Sequence, residues 1–272
     1  MVELREARIV AAKIGIGLQY VLKEARVFDI WSKVCPVILS KEISSQATLI
    51  CKGGTTINKI FLGELQRFSE DLDFDIFFNM ELSRDEKIQF IKDNIISVLN
   101  DSYRIPKEAR MRNVVRFTCY FNNEIGKQDN VFLEFNVNET KVGLSEIKKA
   151  ESKILPLSVS NIPVYSFHTL IAKKLKTFYE REEGKDIYDL YYSLKVVDNV
   201  AKAIPILKDV LAIAKIDYKE FAEEFPKKLA DSTKIQSLHA STNPYIPRNL
   251  RINWIAAAKA ISKNIVRHCN AY

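Results

Sequence analysis

Three carboxylates stand two residues apart at Asp71, Asp73 and Asp75, downstream of a Lys52-Gly53-Gly54-Thr55 turn. Leu72, Phe74 and Ile76 alternate with Asp73, Asp75 and Phe77, the period-two pattern of a half-buried strand whose acidic side must face solvent or a metal ion. Carboxylates this crowded repel one another and weaken a strand unless something offsets them. The glycines follow a short apolar run at 47–51 and precede a helical pattern at 55–62. Unpaired N–H groups and the positive end of a helix dipole therefore face whatever lies over Gly53 and Gly54. A further carboxylate, Glu134, sits among apolar residues in a strand pattern at 130–137, where it needs either a basic partner or a metal site. A phosphate cradle beside carboxylates suits a triphosphate carried with Mg2+ or Mn2+, hard cations that take oxygen ligands. The chemistry implied is attack of a hydroxyl on the α-phosphorus with pyrophosphate leaving, which is nucleotidyl transfer.

The elements that must position these groups follow from periodicity. Residues 3–26 read as a helix weakened at Gly15 and Gly17, where close packing or a break is expected, and 27–45 carries no secure pattern. Residues 83–99 form an amphipathic helix opened by a Ser83-x-x-Glu86 capping box, placed to cover one face of a sheet. Strands at 113–121 and 130–137 flank a turn at Asn122, Asn123 and Gly126, a hairpin signal. Residues 154–165, with Pro156 and Pro163, read as a connector. Beyond it the pattern is helical at 166–179, 184–194, 200–215, 218–231 and 249–268, with a break at 242–248.

Composition narrows the class. The chain has 272 residues and is 47% hydrophobic, enough for a sizeable core, with no apolar run of membrane-spanning length and no signal-peptide pattern in its charged first eight residues. A soluble, cytoplasmic protein is expected. Cys35, Cys51, Cys119 and Cys269 lie far apart with no zinc-ligand spacing and read as reduced thiols, Cys51 and Cys119 as buried ones. Eight Lys or Arg stand against one acid, Asp231, from residue 226 onward, so this region carries the whole net charge of +7. It is either the footprint of a phosphate backbone or a solvated helix face.

Lys52-Gly53-Gly54-Thr55 and Arg67-Phe68-Ser69-Glu70-Asp71-Leu72-Asp73-Phe74 resemble the first two motifs of the AbiEii/AbiGii (MenT-like) nucleotidyltransferase toxins, relatives of DNA polymerase β. Ala172-Lys173-Lys174-Leu175 and Lys185-Asp186-Ile187-Tyr188-Asp189-Leu190 look similar to that family's later motifs, with Lys173 where a glutamate is usual and Lys185 in place of an arginine. The resemblance implies that Lys52, Gly53, Gly54 and Thr55 hold the triphosphate, that Asp71 and Asp73 bind the metal, and that Asp75 stands aside. It makes Glu134 a third carboxylate acting as base or metal ligand, Lys174 a contact to nucleotide phosphates, and Asp189, or alternatively Asp186, the residue that orients the lysine or the base. Arg67 would bind nucleotide or neutralise charge beside the acidic strand. Read without the resemblance, Asp186 and Asp189 share a helix face and can instead pair with Lys185 or Arg181.

The fold expected is α+β, a polymerase-β-like nucleotidyltransferase mixed sheet with helices over residues 1–160, followed by a helical lobe at 161–272 that completes the site. The activity expected is transfer of a nucleoside monophosphate from NTP to RNA, in particular a tRNA 3′ end, by a toxin with a cognate antitoxin. Two other readings stand beside it: a nucleotide or nucleic-acid binding module without transfer, and transfer to a protein or small-molecule hydroxyl.

Overall fold

The structure is a computed structural model and describes residues 2–138, 140–234 and 236–269; the outermost residues of both expected lobes, 1 and 272, lie outside these. Helices α1 (Leu4–Ile14) and α2 (Leu18–Leu39) are separated at Gly15, whose φ of 68° is the left-handed conformation glycine adopts without steric cost. The expected single helix thus divides where its glycines stand. The patternless stretch beyond it continues α2, because it is buried around much of its circumference, through Val27, Phe28, Ile30, Trp31, Val34, Cys35 and Ile38, and so shows no polar face. A single turn, α3 (Lys41–Ser44), leads into β1 (Ala47–Lys52).

The sheet has seven strands in the order β3-β4-β5-β2-β1-β7-β6. At its centre, β2 (Asp71–Phe78) runs antiparallel to β1 and parallel to β5 (Gln128–Asn136). The predicted hairpin forms between β4 (Val114–Asn122) and β5, with the short β3 (Ala109–Arg110) outside it. Two strands lie where a connector was expected, or close before it: β6 (Ser145–Glu151) and β7 (Ser158–Tyr165), with β7 parallel to β1. Pro163 cannot donate to a ladder, and β6 is a polar edge strand, so neither carries the signature of a central strand.

Helix α2 and the helix beginning at α5 (Arg84–Ile91) cover one face of the sheet, burying Leu72, Phe74, Ile76, Leu133 and Phe135. The capping box forms: the Ser83 N–H donates to Glu86 at 2.7 Å and the Glu86 N–H to the Ser83 hydroxyl at 3.3 Å. The other face carries Asp71, Asp73 and Asp75 and is only partly covered, by the turn α4 (Gly53–Thr56), the π-helical turn after it, and α6 (Phe167–Arg181). Helices α7 (Gly184–Val196), α8 (Ala203–Ile213), α9 (Tyr218–Ser232), α10 (Gln236–Thr242) and α11 (Trp254–Cys269) build a separate core with α6. The class is the α+β expected. All four cysteines are buried and free, and among the described residues no helix is long and apolar enough to cross a membrane.

One buried ion pair fastens α2 to the π-helical turn: Lys59 donates to Glu24 at 2.7 Å and to Gln66 at 2.8 Å, and Ser152 donates to the same Glu24. Both charged side chains are almost fully excluded from solvent. Removing one partner strands the other, so Glu24→Ala is expected to destabilise the protein by about 3–5 kcal/mol, while Glu24→Leu combined with Lys59→Met recovers most of that loss. Urea titrations of the parent and the two variants measure it, and equal losses in the single and double variants would contradict it.

Candidate active site

β1 ends at Lys52, and the chain turns at Gly53 with φ 78° directly into α4. Glycine is required here on two counts. The φ is left-handed, and a Cβ at Gly53 would collide with the Asp73 carboxylate. At Gly54 a Cβ would stand 2.6 Å from Nη2 of Arg67 and 3.2 Å from Oδ2 of Asp189. The first glycine thus admits the acidic strand and the second admits a side chain from α7. Thr55 is buried and donates its hydroxyl to the carbonyl of Asp71, so it ties the turn to β2.

Asp73 stands in register with Lys52 on β1 and with Glu134 on β5. Burial raises the Asp73 carboxyl to about 7, with the charges of Glu134 and Asp71 adding to the effect. Burial raises Asp71 to about 6, against the opposing charge of Lys185 and with Glu70 and Glu134 pushing further upward. Among the described residues neither carboxylate joins an ion pair or accepts a hydrogen bond. Glu134 instead receives Arg116 from the neighbouring strand, with Nε at 2.7 Å and Nη2 at 2.5 Å. The hairpin register fixes that pair, and counting back from the turn at Asn122 and Gln128 would have found it.

Asp75, expected to stand aside on an open face, is fully buried. Lys52 pairs with it, Lys173 reaches it at 3.0 Å, and Tyr165 donates to it at 2.8 Å. Against burial, which would raise it, these lysines hold its carboxyl below the usual range. Asp75 therefore gives Lys173 an anion where the family usually has its own glutamate.

The later motifs come to the same turn. Asp189 accepts Nε and Nη2 of Arg67 at 2.8 and 2.7 Å, Asn58 at 2.8 Å and Lys174 at 3.0 Å. Asp186 accepts Lys174 at 2.9 Å and Arg181 at 2.9 Å. Against burial, Lys174 and Arg181 hold the Asp186 carboxyl down to about 2. Asp186 and Asp189 in turn keep Lys174 charged despite its burial. Arg67 was expected to bind nucleotide or to neutralise charge beside the acidic strand. It is 2% exposed, its remaining guanidinium nitrogen donates to the carbonyl of Phe68 at 2.7 Å, and it serves as a clamp on Asp189. Lys185 leaves the carboxylates of its own helix and lies over the Tyr245 ring, 3.7 Å from its centroid.

A cavity of about 540 Å³ opens over this ground. Lys52, Gly53, Gly54, Asp73, Lys173, Lys174, Lys176 and Arg181 line it, with Asn113, Asn136 and Asn138 at one side and Leu170, Val210 and Ile213 at another. Of the residues predicted from sequence, Thr55, Arg67, Asp186 and Asp189 sit behind this lining, and Asp71 and Glu134 lie beside Asp73 on the sheet. Asn58, Arg116 and Tyr165 were missed; apart from Arg116, their partners are remote in sequence and no local pattern announces them, whereas Arg181 pairs with Asp186 five residues on, the helix-face pairing that the sequence allowed.

Among the described residues no three Asp, Glu, His or Cys side chains form a closed metal-ligand set. The two unpaired aspartates nevertheless fit Mg2+, which takes one or two carboxylates and completes its shell with substrate phosphates and water.

A strand-turn-helix phosphate cradle beside two aspartates, with a buried lysine opposite, defines the class: a nucleotidyltransferase. The family model "Nucleotidyl transferase AbiEii toxin, Type IV TA system" matches residues 39–264, and the chain belongs to that family, an NTP-dependent nucleotidyltransferase whose family implies an antitoxin partner. Among solved structures it is similar to MenT4, a nucleotidyltransferase toxin from Mycobacterium tuberculosis H37Rv, at 15% identity and a TM-score of 0.61, covering 98% of this chain and 90% of that one. An antigenic nucleotidyltransferase-like protein from Paracoccidioides brasiliensis matches at 14% identity and a TM-score of 0.35, over 66% of this chain and 88% of that one. The Bradyrhizobium diazoefficiens CD-NTase CdnG in complex with GTP matches at 11% identity and a TM-score of 0.32, over 97% of this chain and 87% of that one. Likeness at those last two scores carries no weight here. No curated protein matches the chain.

Because Asp73 binds its proton more tightly folded than unfolded, the folded state holds more protons between about pH 4 and 7, and stability falls as pH rises through that window. In metal-free buffer, Asp73→Asn is expected to gain about 1–3 kcal/mol over the parent above pH 7 and almost nothing near pH 4. Urea unfolding with chelator at both pH values measures this. A gain independent of pH would contradict the repulsion.

Proposed function

We propose that this chain transfers a nucleoside monophosphate from NTP to the 3′ end of an RNA, with tRNA as the acceptor class, as the toxin of a toxin–antitoxin pair. The observation that carries the reading is a single cavity lined by Gly53, Gly54, Asp73 and Lys174, residues drawn from three separate motifs. The site comprises an α/β lobe at 1–160 and a helical lobe at 161–272, each supplying part of it.

In this reading the backbone N–H groups at Gly53 and Gly54 hold the triphosphate, with Lys52 at the edge of the cradle. Lys174, kept charged by Asp186 and Asp189, meets the phosphates from the opposite side. Asp71 and Asp73 would hold Mg2+ or Mn2+, which would supply Lewis-acid stabilisation of the negative charge that builds on the phosphates. The acceptor hydroxyl oxygen bonds to the α-phosphorus, the bond from that phosphorus to the bridging oxygen breaks, and pyrophosphate leaves beside Lys174 and Arg181. Glu134, next to Asp73 in register and held by Arg116, would be the carboxylate that receives the hydroxyl proton. Lys173 and Lys176 extend the cationic lining outward and suit an acceptor that brings its own phosphates. Neither departure from the family pattern blocks the cavity, since Lys173 is held by Asp75 and Lys185 by Tyr245.

The test is incubation of the protein with Mg2+, each labelled NTP in turn and total RNA. Label is expected in RNA, and Asp71→Ala with Asp73→Ala is expected to reduce it by at least about a hundredfold, as is Lys174→Ala. Nucleotide binding with no transfer for any NTP would replace this reading by that of a binding module. Label found only in protein or small molecules would overturn the RNA acceptor.

A further inference from the structure

The cations after Pro226 do not line the cavity. Several instead edge a second concavity, a groove of about 660 Å³ between α9 and α11. Its walls and floor are Pro226, Ala230, Ile255, Ala258, Ser262 and Val266. Small side chains face each other there, and the two helices leave a trough in which Ile255 stays 55% exposed. Along one edge Lys259, Lys263 and Arg267 project from α11 at four-residue intervals, one row on one helix face. Among the described residues none of the three has an ion-pair partner. Asp231, the one acid from residue 226 onward, is paired with Lys234 three residues on at 2.8 Å and does not line the groove.

We propose that this groove binds an amphipathic acidic helix of a partner protein, which seats an apolar stripe between α9 and α11 and sets its carboxylates against Lys259, Lys263 and Arg267. The cationic row spans about 12 Å of α11, matching about two turns of a ligand helix. Apolar anchors at three- and four-residue spacing with charge on the flank are what such a trough accepts. Charge complementarity selects the sign of the partner, and the apolar floor selects its kind. Single-stranded RNA would need stacking surfaces beside the cations, and among the described residues the groove has no aromatic lining; Trp254 is buried against His239. The groove shares no lining residue with the cavity that holds Asp73 and Lys174, so this inference stands apart from the transferase reading.

The experiment uses the full chain and three fluorescent helical peptides: one with leucines at three- and four-residue spacing and glutamates on the flank, one with lysines replacing the glutamates, and one with serines replacing the leucines. Fluorescence anisotropy is expected to show binding of the acidic leucine peptide alone, weakened by added salt. Lys259→Glu with Lys263→Glu should weaken it about tenfold or more, and Ala230→Trp, which fills the trough from an exposed helix position, should do the same. Unchanged thermal melting of both variants excludes unfolding as the cause. Failure of the acidic peptide to bind, equal binding of all three peptides, or a single-stranded RNA whose binding the same two variants abolish would each overturn the proposal.

Discussion

Everything at the site depends on the buried pair between Arg67 and Asp189. Taking two charges out of water costs several kcal/mol each, and the cost is offset only where geometry is good and the remaining lone pairs are filled. Both conditions hold: the contact is bidentate, and Asn58 and Lys174 complete the carboxylate. The pair joins the loop before β2 to helix α7, two segments far apart in the chain. Gly54 lacks a side chain because that pair occupies the space where one would go. Lys174, held between Asp189 and Asp186, is thereby fixed on the opposite side of the cavity from the acidic strand.

Charge is then divided with little cancellation. Burial, with neighbouring carboxylates adding to it, makes Asp71 and Asp73 hold their protons more tightly than ordinary carboxylates do, while the rest of the cavity lining is rich in Lys and Arg. A divalent cation bound to a triphosphate satisfies both halves at once, since its metal relieves the aspartates and its phosphates relieve the lysines. Asp75 shows how the same strand avoids extending the acidic patch: sunk beneath Lys52, Lys173 and Tyr165, it serves as an anchor for two cations at the rim.

The four motifs and the alternation of β2 were legible in sequence because each is local: a turn needing glycines, a strand with period two, a helix with carboxylates three apart. The α+β class followed from strand patterns giving way to helical ones. β6 and β7 escaped because Pro163 and an exposed polar edge erase the strand signature, and the second half of α2 escaped because burial on nearly all sides erases helical periodicity. The partner of Arg67 escaped for a different reason. A basic residue beside an acidic strand reads as a charge neutraliser, and only the tertiary approach of α7 reveals that its anion is Asp189. Asp75 and Lys173 likewise find each other across 98 residues of chain, beyond any local pattern.

The central claim is that Gly53, Gly54, Asp71, Asp73 and Lys174 form one site for a metal-bound triphosphate. The most direct measurement is a crystal structure of the protein with Mn2+ and a non-hydrolysable NTP, read by the anomalous signal of manganese. The account predicts a manganese peak at Asp71 and Asp73, with the triphosphate over the Gly53–Gly54 turn and within reach of Lys174. A nucleotide bound away from that turn, or manganese absent from the two aspartates while nucleotide is present, would contradict it.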